Sequence, residues 1–136
     1  MPKRTYVDSC VLIAAYRGNE RLSAKALSVI DDPERQFVVS SYLELEVVPK
    51  PMFHRYPDQV QFMREFLAAA AERIYPSAAT AEDAIQLASQ YDLSAFDALH
   101  ASVAKTAAVD ELVTMEKPTK PLLAVREVRV VSLHAG

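Results

Sequence analysis

The chain has 136 residues, 51% hydrophobic and 24% charged, with a formal net charge of −3. That suits one folded domain with a real core, expected to span 1–136, and it lacks the global basic field that advertises a nucleic-acid binder, leaving only a local patch for that purpose. With two glycines, Gly18 and Gly136, no phosphate-cradling loop of the Walker or dinucleotide type can form; the single Cys10 rules out an internal disulfide and suits a reducing cytoplasm, and no stretch approaches a membrane span.

In chain order, Thr5-Tyr6-Val7 reads as a first strand ended by Asp8 and Ser9, residues that also suit the N-cap of a helix. Val11, Leu12, Ala14 and Ala15 would be that helix's buried turns, and Arg17-Gly18-Asn19 a break. A second helix is expected over Arg21–Asp31, on the spacing of Leu22, Ala26, Val29 and Ile30, and Asp32-Pro33 ends it. Phe37–Ser40 is a short buried strand. Ser41-Tyr42-Leu43-Glu44 has the capping-box pattern, so a helix starts at Ser41, limited by Pro49 and Pro51.

From Asp58 to Ile74 the residues Phe62, Met63, Phe66, Leu67, Ala70, Ala71 and Ile74 form one helical stripe, and Ile74-Tyr75 starts a short edge strand before Pro76. Thr80-x-x-Asp83 opens a helix to about Gln90 with Ala84, Ile85 and Ala88 inward. Ser94-x-x-Asp97 opens another, rich in small residues that permit close approach. Leu112–Thr114 and Val128–Leu133 are the remaining strands. Strands alternating with helices predict an α/β chain, a mostly parallel sheet covered on both faces.

Four acids stand where such a fold places ligands. Asp8 and Glu116 follow strand ends; Glu46 and Asp97 lie in helices that begin near the same sheet edge. Each has a plain structural explanation as well: a cap for Asp8 and Asp97, a solvent-facing position for Glu46, a loop for Glu116. Glu44 is set aside because its capping position accounts for it. Glu46 sits among Leu43, Leu45, Val47 and Val48, where an acid needs a partner charge, hydrogen bonds or a metal. Four carboxylates gathered in one crevice cannot all stay ionised without raised pKa values or bound cations. An oxygen-only donor set suits Mg²⁺ or Mn²⁺ rather than zinc.

These segments together resemble the PIN-domain ribonucleases, the family that includes the VapC-like toxins of toxin–antitoxin pairs. Tyr6-Val7-Asp8-Ser9-Cys10-Val11-Leu12-Ile13 is similar to the family's first motif and Ser41-Tyr42-Leu43-Glu44-Leu45-Glu46 to its second, with Glu46 as the acid. Leu93-Ser94-Ala95-Phe96-Asp97-Ala98-Leu99-His100-Ala101 matches the third and Glu111-Leu112-Val113-Thr114-Met115-Glu116 the fourth. Two positions depart: Glu116 stands where the family usually has Asp, and Cys10 where it often has Ser.

The resemblance implies a three-layer α/β/α sandwich around a five-stranded, mostly parallel sheet. It implies metal-dependent endoribonuclease activity, with Asp8, Glu46, Asp97 and Glu116 as catalytic metal ligands for Mg²⁺ or Mn²⁺. Ser9, Thr114 and Lys117 are weaker candidates for substrate contact; paired loop lysines such as Lys117 and Lys120 are more often simply solvated. His100 is expected to be structural, and Cys10 packed rather than nucleophilic. RNA, a cognate antitoxin and a second copy of the chain are the implied partners. The alternative is a catalytically weak or inactive module on the same fold that binds RNA or a protein, motivated by the departures at Cys10 and Glu116.

Overall fold

Five strands alternate with helices, and every strand-to-strand connection carries at least one helix or a 3₁₀ turn, so the strands run parallel. The structure, a computed structural model, describes residues 2–18 and 20–134. Asn19 of the expected break lies outside the described residues. β1 (Lys3–Val7), β2 (Arg35–Ser40), β3 (Glu72–Ile74), β4 (Glu111–Thr114) and β5 (Val130–Ser132) form one sheet in the order β3-β2-β1-β4-β5. Each neighbouring pair is parallel. The helices are α1 (Ser9–Arg17), α2 (Glu20–Ile30), α3 (Ser41–Val47), α4 (Pro49–Phe53), α5 (Pro57–Ala69), α6 (Ala78–Tyr91) and α7 (Ala95–Thr106), with a 3₁₀ turn at Pro121–Ala124.

Side chains alternate across the sheet, and the alternation divides the core in two. Val7, Val39 and Val113 face α1, α2, α3 and α5, packing with Leu12, Leu43, Met63 and Leu67. Tyr6, Val38 and Leu112 face α6 and α7, packing with Leu87, Ala101 and Ala104. The result is the expected α/β/α sandwich. β1 is its centre, with Tyr6 and Val7 fully buried.

Several local expectations change. The stripe from Asp58 does not run to Ile74: α5 stops at Ala69, and Glu72–Ile74 is β3, beside β2. Apolar spacing alone cannot tell the last helical turn from the strand that follows. α3 does begin at Ser41, but its cap is Ser40, whose Oγ accepts the backbone N–H of Leu43 at 3.2 Å. α6 opens at Ala78, capped by Ser77, with Thr80 bonding back to the Ser77 N–H at 3.1 Å. Asp83 instead accepts from Lys105 at 2.9 Å and Ser102 at 2.8 Å. Ile85 points outward, 63% exposed, and Leu87 takes the inward place. The last strand is shorter than expected, Val130–Ser132.

The chain winds outward from β1 to β2 and β3, then returns to lay β4 and β5 on the other side. The strand order therefore reverses between β1 and β4. Just outside the carboxyl ends of those two strands, the connections leave for opposite faces and open a crevice. The amino ends are closed differently. There the buried Glu111 accepts from Arg35 Nε and the Thr5 hydroxyl, both at 2.8 Å.

Candidate functional site

All four acids gather at the carboxyl edge. Asp8 is the residue after β1 and the N-cap of α1, yet its side chain makes no capping bond. Its carboxylate is 4% exposed, and Oδ1 accepts from the Cys10 thiol at 2.7 Å. Capping therefore does not explain Asp8. Glu116 lies two residues past β4, and its backbone N–H donates to the Thr114 hydroxyl at 3.1 Å. Asp97 is in the first turn of α7, where its backbone N–H donates to Ser94 Oγ at 3.4 Å and the Ser94 hydroxyl also acts on its carboxylate.

Glu46 is in the last turn of α3 and pairs with His100 of α7. Glu44, two residues earlier, pairs with Arg73 instead. The two acids of this helix are thus separated by partner: one is a peripheral ion pair, the other belongs to the crevice.

Electrostatics ties the four together. Burial pushes Asp8 above the ordinary carboxylate range; the Cys10 thiol and Thr114 hydroxyl oppose this and the Asp97 charge adds to it. Burial likewise raises Asp97, with the Glu46 charge adding and the Ser94 hydroxyl and His100 opposing. Glu116 is raised by burial and then by the charges of Asp97 and Asp8, against Lys120. Asp8, Asp97 and Glu116 each feel at least one other acid of the crevice. Asp8, Asp97 and Glu116 form no ion pair among the described residues. The crevice has a deficit of positive charge, which oxygen donors can correct by taking up a hard cation. No group of three or more His, Cys, Asp or Glu side chains among the described residues is arranged to hold an ion directly.

Behind Glu46 runs a buried chain that sequence reasoning missed. His100, 1% exposed, has Nδ1 at 2.6 Å from the Tyr6 hydroxyl, and that hydroxyl is 2.7 Å from Ser40 Oγ. Ser40 Oγ also accepts the N–H of Leu43. One assignment satisfies every atom: Leu43 N–H donates to Ser40, Ser40 O–H to Tyr6, Tyr6 O–H to His100 Nδ1, and His100 Nε2–H to Glu46. Burial, with the Glu46 and Asp8 charges, raises the Tyr6 phenol well above its ordinary value, so it stays protonated as this chain requires. His100 is structural, as expected, and it also fixes an acid of the site. The available signal was Tyr6 itself, a hydroxyl in a buried strand that had to find a partner.

The weaker candidates fall differently. Thr114 is fully buried, so its hydroxyl serves the Glu116 N–H and lies 3.6 Å from the Cys10 thiol rather than reaching a substrate. Ser9 begins α1, half-buried, and Lys117 is exposed beyond Glu116. Cys10 is held by Asp8 and by the Met115 N–H at 3.3 Å, and burial with the Asp8 charge pushes its thiol well above the ordinary range, which leaves it protonated.

A crevice of four acids at the switch point of a parallel sheet is what the family resemblance implied, and comparison with known proteins decides the family. The PIN-domain family model matches residues 5–117. This chain belongs to the PIN-domain family. No curated protein matches it. Among solved structures, the PIN domain is similar to a chain of a toxin–antitoxin complex from Klebsiella pneumoniae, at 23% identity and a TM-score of 0.73, covering 95% of this chain and 97% of that one. It is also similar to a chain of VapBC2 from Rickettsia felis bound to a DNA fragment from its promoter, at 15% identity and a TM-score of 0.71, covering 95% and 98%. A third is the sarcin–ricin-loop-cleaving toxin VapC20 of Mycobacterium tuberculosis, at 13% identity and a TM-score of 0.65, covering 92% and 98%. These likenesses establish a shared fold.

Proposed function

We propose that this PIN domain is a metal-dependent endoribonuclease, the toxin of a toxin–antitoxin pair. The observation that carries this reading is the crevice itself: Asp8, Asp97 and Glu116 raised by burial and neighbouring acids, with no ion pair to any of them among the described residues. Such a site repels a phosphodiester unless a cation is added. Asp8, Glu46, Asp97 and Glu116 would hold Mg²⁺ or Mn²⁺, with water completing the shell, since the carboxylates are not arranged as a closed cage. The bound ion supplies Lewis acidity toward a phosphoryl oxygen and a water of lowered pKa.

The protein's own part is positioning. The Ser40–Tyr6–His100 chain fixes one oxygen of Glu46 and leaves Oε2 with no hydrogen bond among the described residues. Cys10 fixes Asp8 Oδ1, doing with a thiol what a hydroxyl does elsewhere in the family. Thr114 fixes the backbone that carries Glu116, so the longer side chain starts from a held position.

Membership of the PIN family supports the nuclease reading, and the toxin–antitoxin complexes among the structural neighbours support an antitoxin partner. Homodimerisation and a cytoplasmic location belong to the same reading; exposed Leu45 and Ile85 supply apolar surface for a second copy, and among the described residues no helix is long and apolar enough to cross a membrane.

The test is cleavage of labelled RNA with Mn²⁺ by purified protein and by Asp8→Asn and Asp97→Asn. Both variants should keep their fold and lose cleavage by a hundredfold or more, on the order of what a lost charge-stabilising group costs. Unchanged cleavage in both refutes the reading. A domain that only binds would show no thermal stabilisation by Mn²⁺; stabilisation that disappears in Asp97→Asn supports the nuclease.

A further inference from the structure

The net charge of −3 conceals a local cluster of cations. Arg17 ends α1, Lys50 lies in α4, and Arg55 sits in the turn between α4 and α5. All three are exposed, and none forms an ion pair among the described residues. They line two adjoining concavities that share Arg17, Tyr56 and Gln59. One is about 360 Å³ and also takes in Tyr16 and Arg55; the other is about 220 Å³ and also takes in Lys50 and His54. Asp58 is the only acid among their lining residues.

Two further features belong to this surface. Gln59 is 5% exposed, lines both concavities, and its amide makes no hydrogen bond among the described residues. The Gln59 amide is not among the buried polar atoms left without a partner, so its donor and acceptor reach the solvent of the concavities and are open to an outside group. Arg55 adopts a left-handed backbone conformation, φ 59°, which a side-chain-bearing residue rarely takes. Arg55 also lines the first concavity.

The surface leads back to the acids. Arg17 also lines a third concavity, of about 270 Å³, with Cys10 and Met115, and the Cys10 thiol holds Asp8. Ser9 to Arg17 spans about 12 Å along α1. A strand a few nucleotides long can therefore touch both the acids and the cluster.

We propose that Arg17, Lys50, Arg55 and Gln59, with Tyr16 and Tyr56, seat a single-stranded stretch of RNA flanking the bond placed at the acids. Arg17, Lys50 and Arg55, without ion pairs among the described residues, track a phosphate backbone; Tyr16, beside Phe62, and Tyr56, stacked on His54, offer their exposed sides to bases; and Gln59 reads a base edge or a sugar. The proposal names the substrate of the nuclease proposed above and rests on that reading.

The test is fluorescence anisotropy with a labelled oligouridine of about a dozen nucleotides, in an Asp97→Asn background so that nothing is cut. Arg17→Ala with Arg55→Ala should weaken binding about tenfold and lower the salt slope by about 1.4, on the rule of about 0.7 per phosphate contact on a single strand. Tyr56→Ala should weaken binding about fivefold with the slope unchanged. Gln59→Met should weaken it at constant slope too. Arg→Lys at both positions should retain the slope. The altered arginines and tyrosine are exposed, so melting temperatures should hold.

Affinity and slope unmoved by the double arginine variant overturn the seat, as does a parent that does not bind the probe. Arginine variants that bind RNA normally but no longer co-purify with the co-expressed antitoxin assign the surface to a protein and overturn it as well. The two readings fail separately: arginine-dependent binding without Mn²⁺-dependent cleavage by the unmodified chain removes the nuclease and leaves the seat, and cleavage with arginine-independent binding does the reverse.

Discussion

Replacing Asp8 by Asn should make this protein more stable, and the reason lies in how the carboxylate is held. Asp8 is 4% exposed; the Cys10 thiol at 2.7 Å, the Thr114 hydroxyl and His100 offset its burial only in part, and it faces the Asp97 charge with no ion pair among the described residues. Burial raises its folded-state pKa above the ordinary 3.8. The folded chain thus binds this proton more tightly than the unfolded chain does. Below 3.8 both states are protonated and the group carries no penalty; as pH rises through the folded-state value, the penalty grows to its full size. Asn carries no charge at any of these pH values. At about pH 7 in chelator, Asp8→Asn should gain about 1–3 kcal/mol, the scale of an incompletely compensated buried polar group. That is about 3–10 °C in melting temperature for a chain of this size.

The metal reading adds a second arm. Mn²⁺ at about a hundred times its dissociation constant stabilises a binding protein by about 2.7 kcal/mol. The unmodified chain should rise by that much and Asp8→Asn by far less, so the order of stability closes or reverses. Thermal and denaturant unfolding at about pH 7 and again at about pH 4, each with chelator and with Mn²⁺, contain all four comparisons. If Asp8→Asn is less stable than the parent in chelator at neutral pH, the electrostatic reasoning is wrong. If both proteins gain equally from Mn²⁺, Asp8 does not hold the ion.

Tyr6→Phe strands Ser40 and His100 Nδ1 in a dry core, so unfolding should show a loss of about 1–3 kcal/mol; titration calorimetry should show weaker Mn²⁺ binding as His100 loses its anchor, whereas unchanged affinity would make the chain structural only. Glu46→Gln should lower Mn²⁺ affinity about tenfold or more, while Glu44→Gln, which breaks only the Arg73 pair, should leave it alone; equal losses would show that the partners do not sort these two acids. Arg35→Ala removes the main cation from Glu111, itself 3% exposed, and should destabilise by about 3 kcal/mol in denaturant unfolding. Because that pair closes the amino edge, cleavage per folded molecule should be unchanged.

Much of this architecture could be read from residue patterns because β-rich apolar runs and caps are local. Val7, Val39 and Val113 announced strands on their own; which helices cover which face appears only in the packing. The acids were legible for a related reason. Asp8, Glu46, Asp97 and Glu116 sit next to elements whose boundaries are local, and a parallel sheet brings its carboxyl ends together whatever the details. What local pattern could not give was pairing across the chain. Capping spacing set Glu44 aside, yet what separates it from Glu46 in the fold is pairing: Arg73, 29 residues on, for Glu44 and His100, 54 residues on, for Glu46. Tyr6 and Ser40 read as ordinary strand residues, yet their hydroxyls form the chain that sets His100. The cation cluster stayed hidden for the same reason: Arg17 and Arg55 are far apart in sequence and meet only because α1 packs beside the start of α5. Net charge averages such a cluster away, so a mildly acidic chain can still present a locally cationic surface.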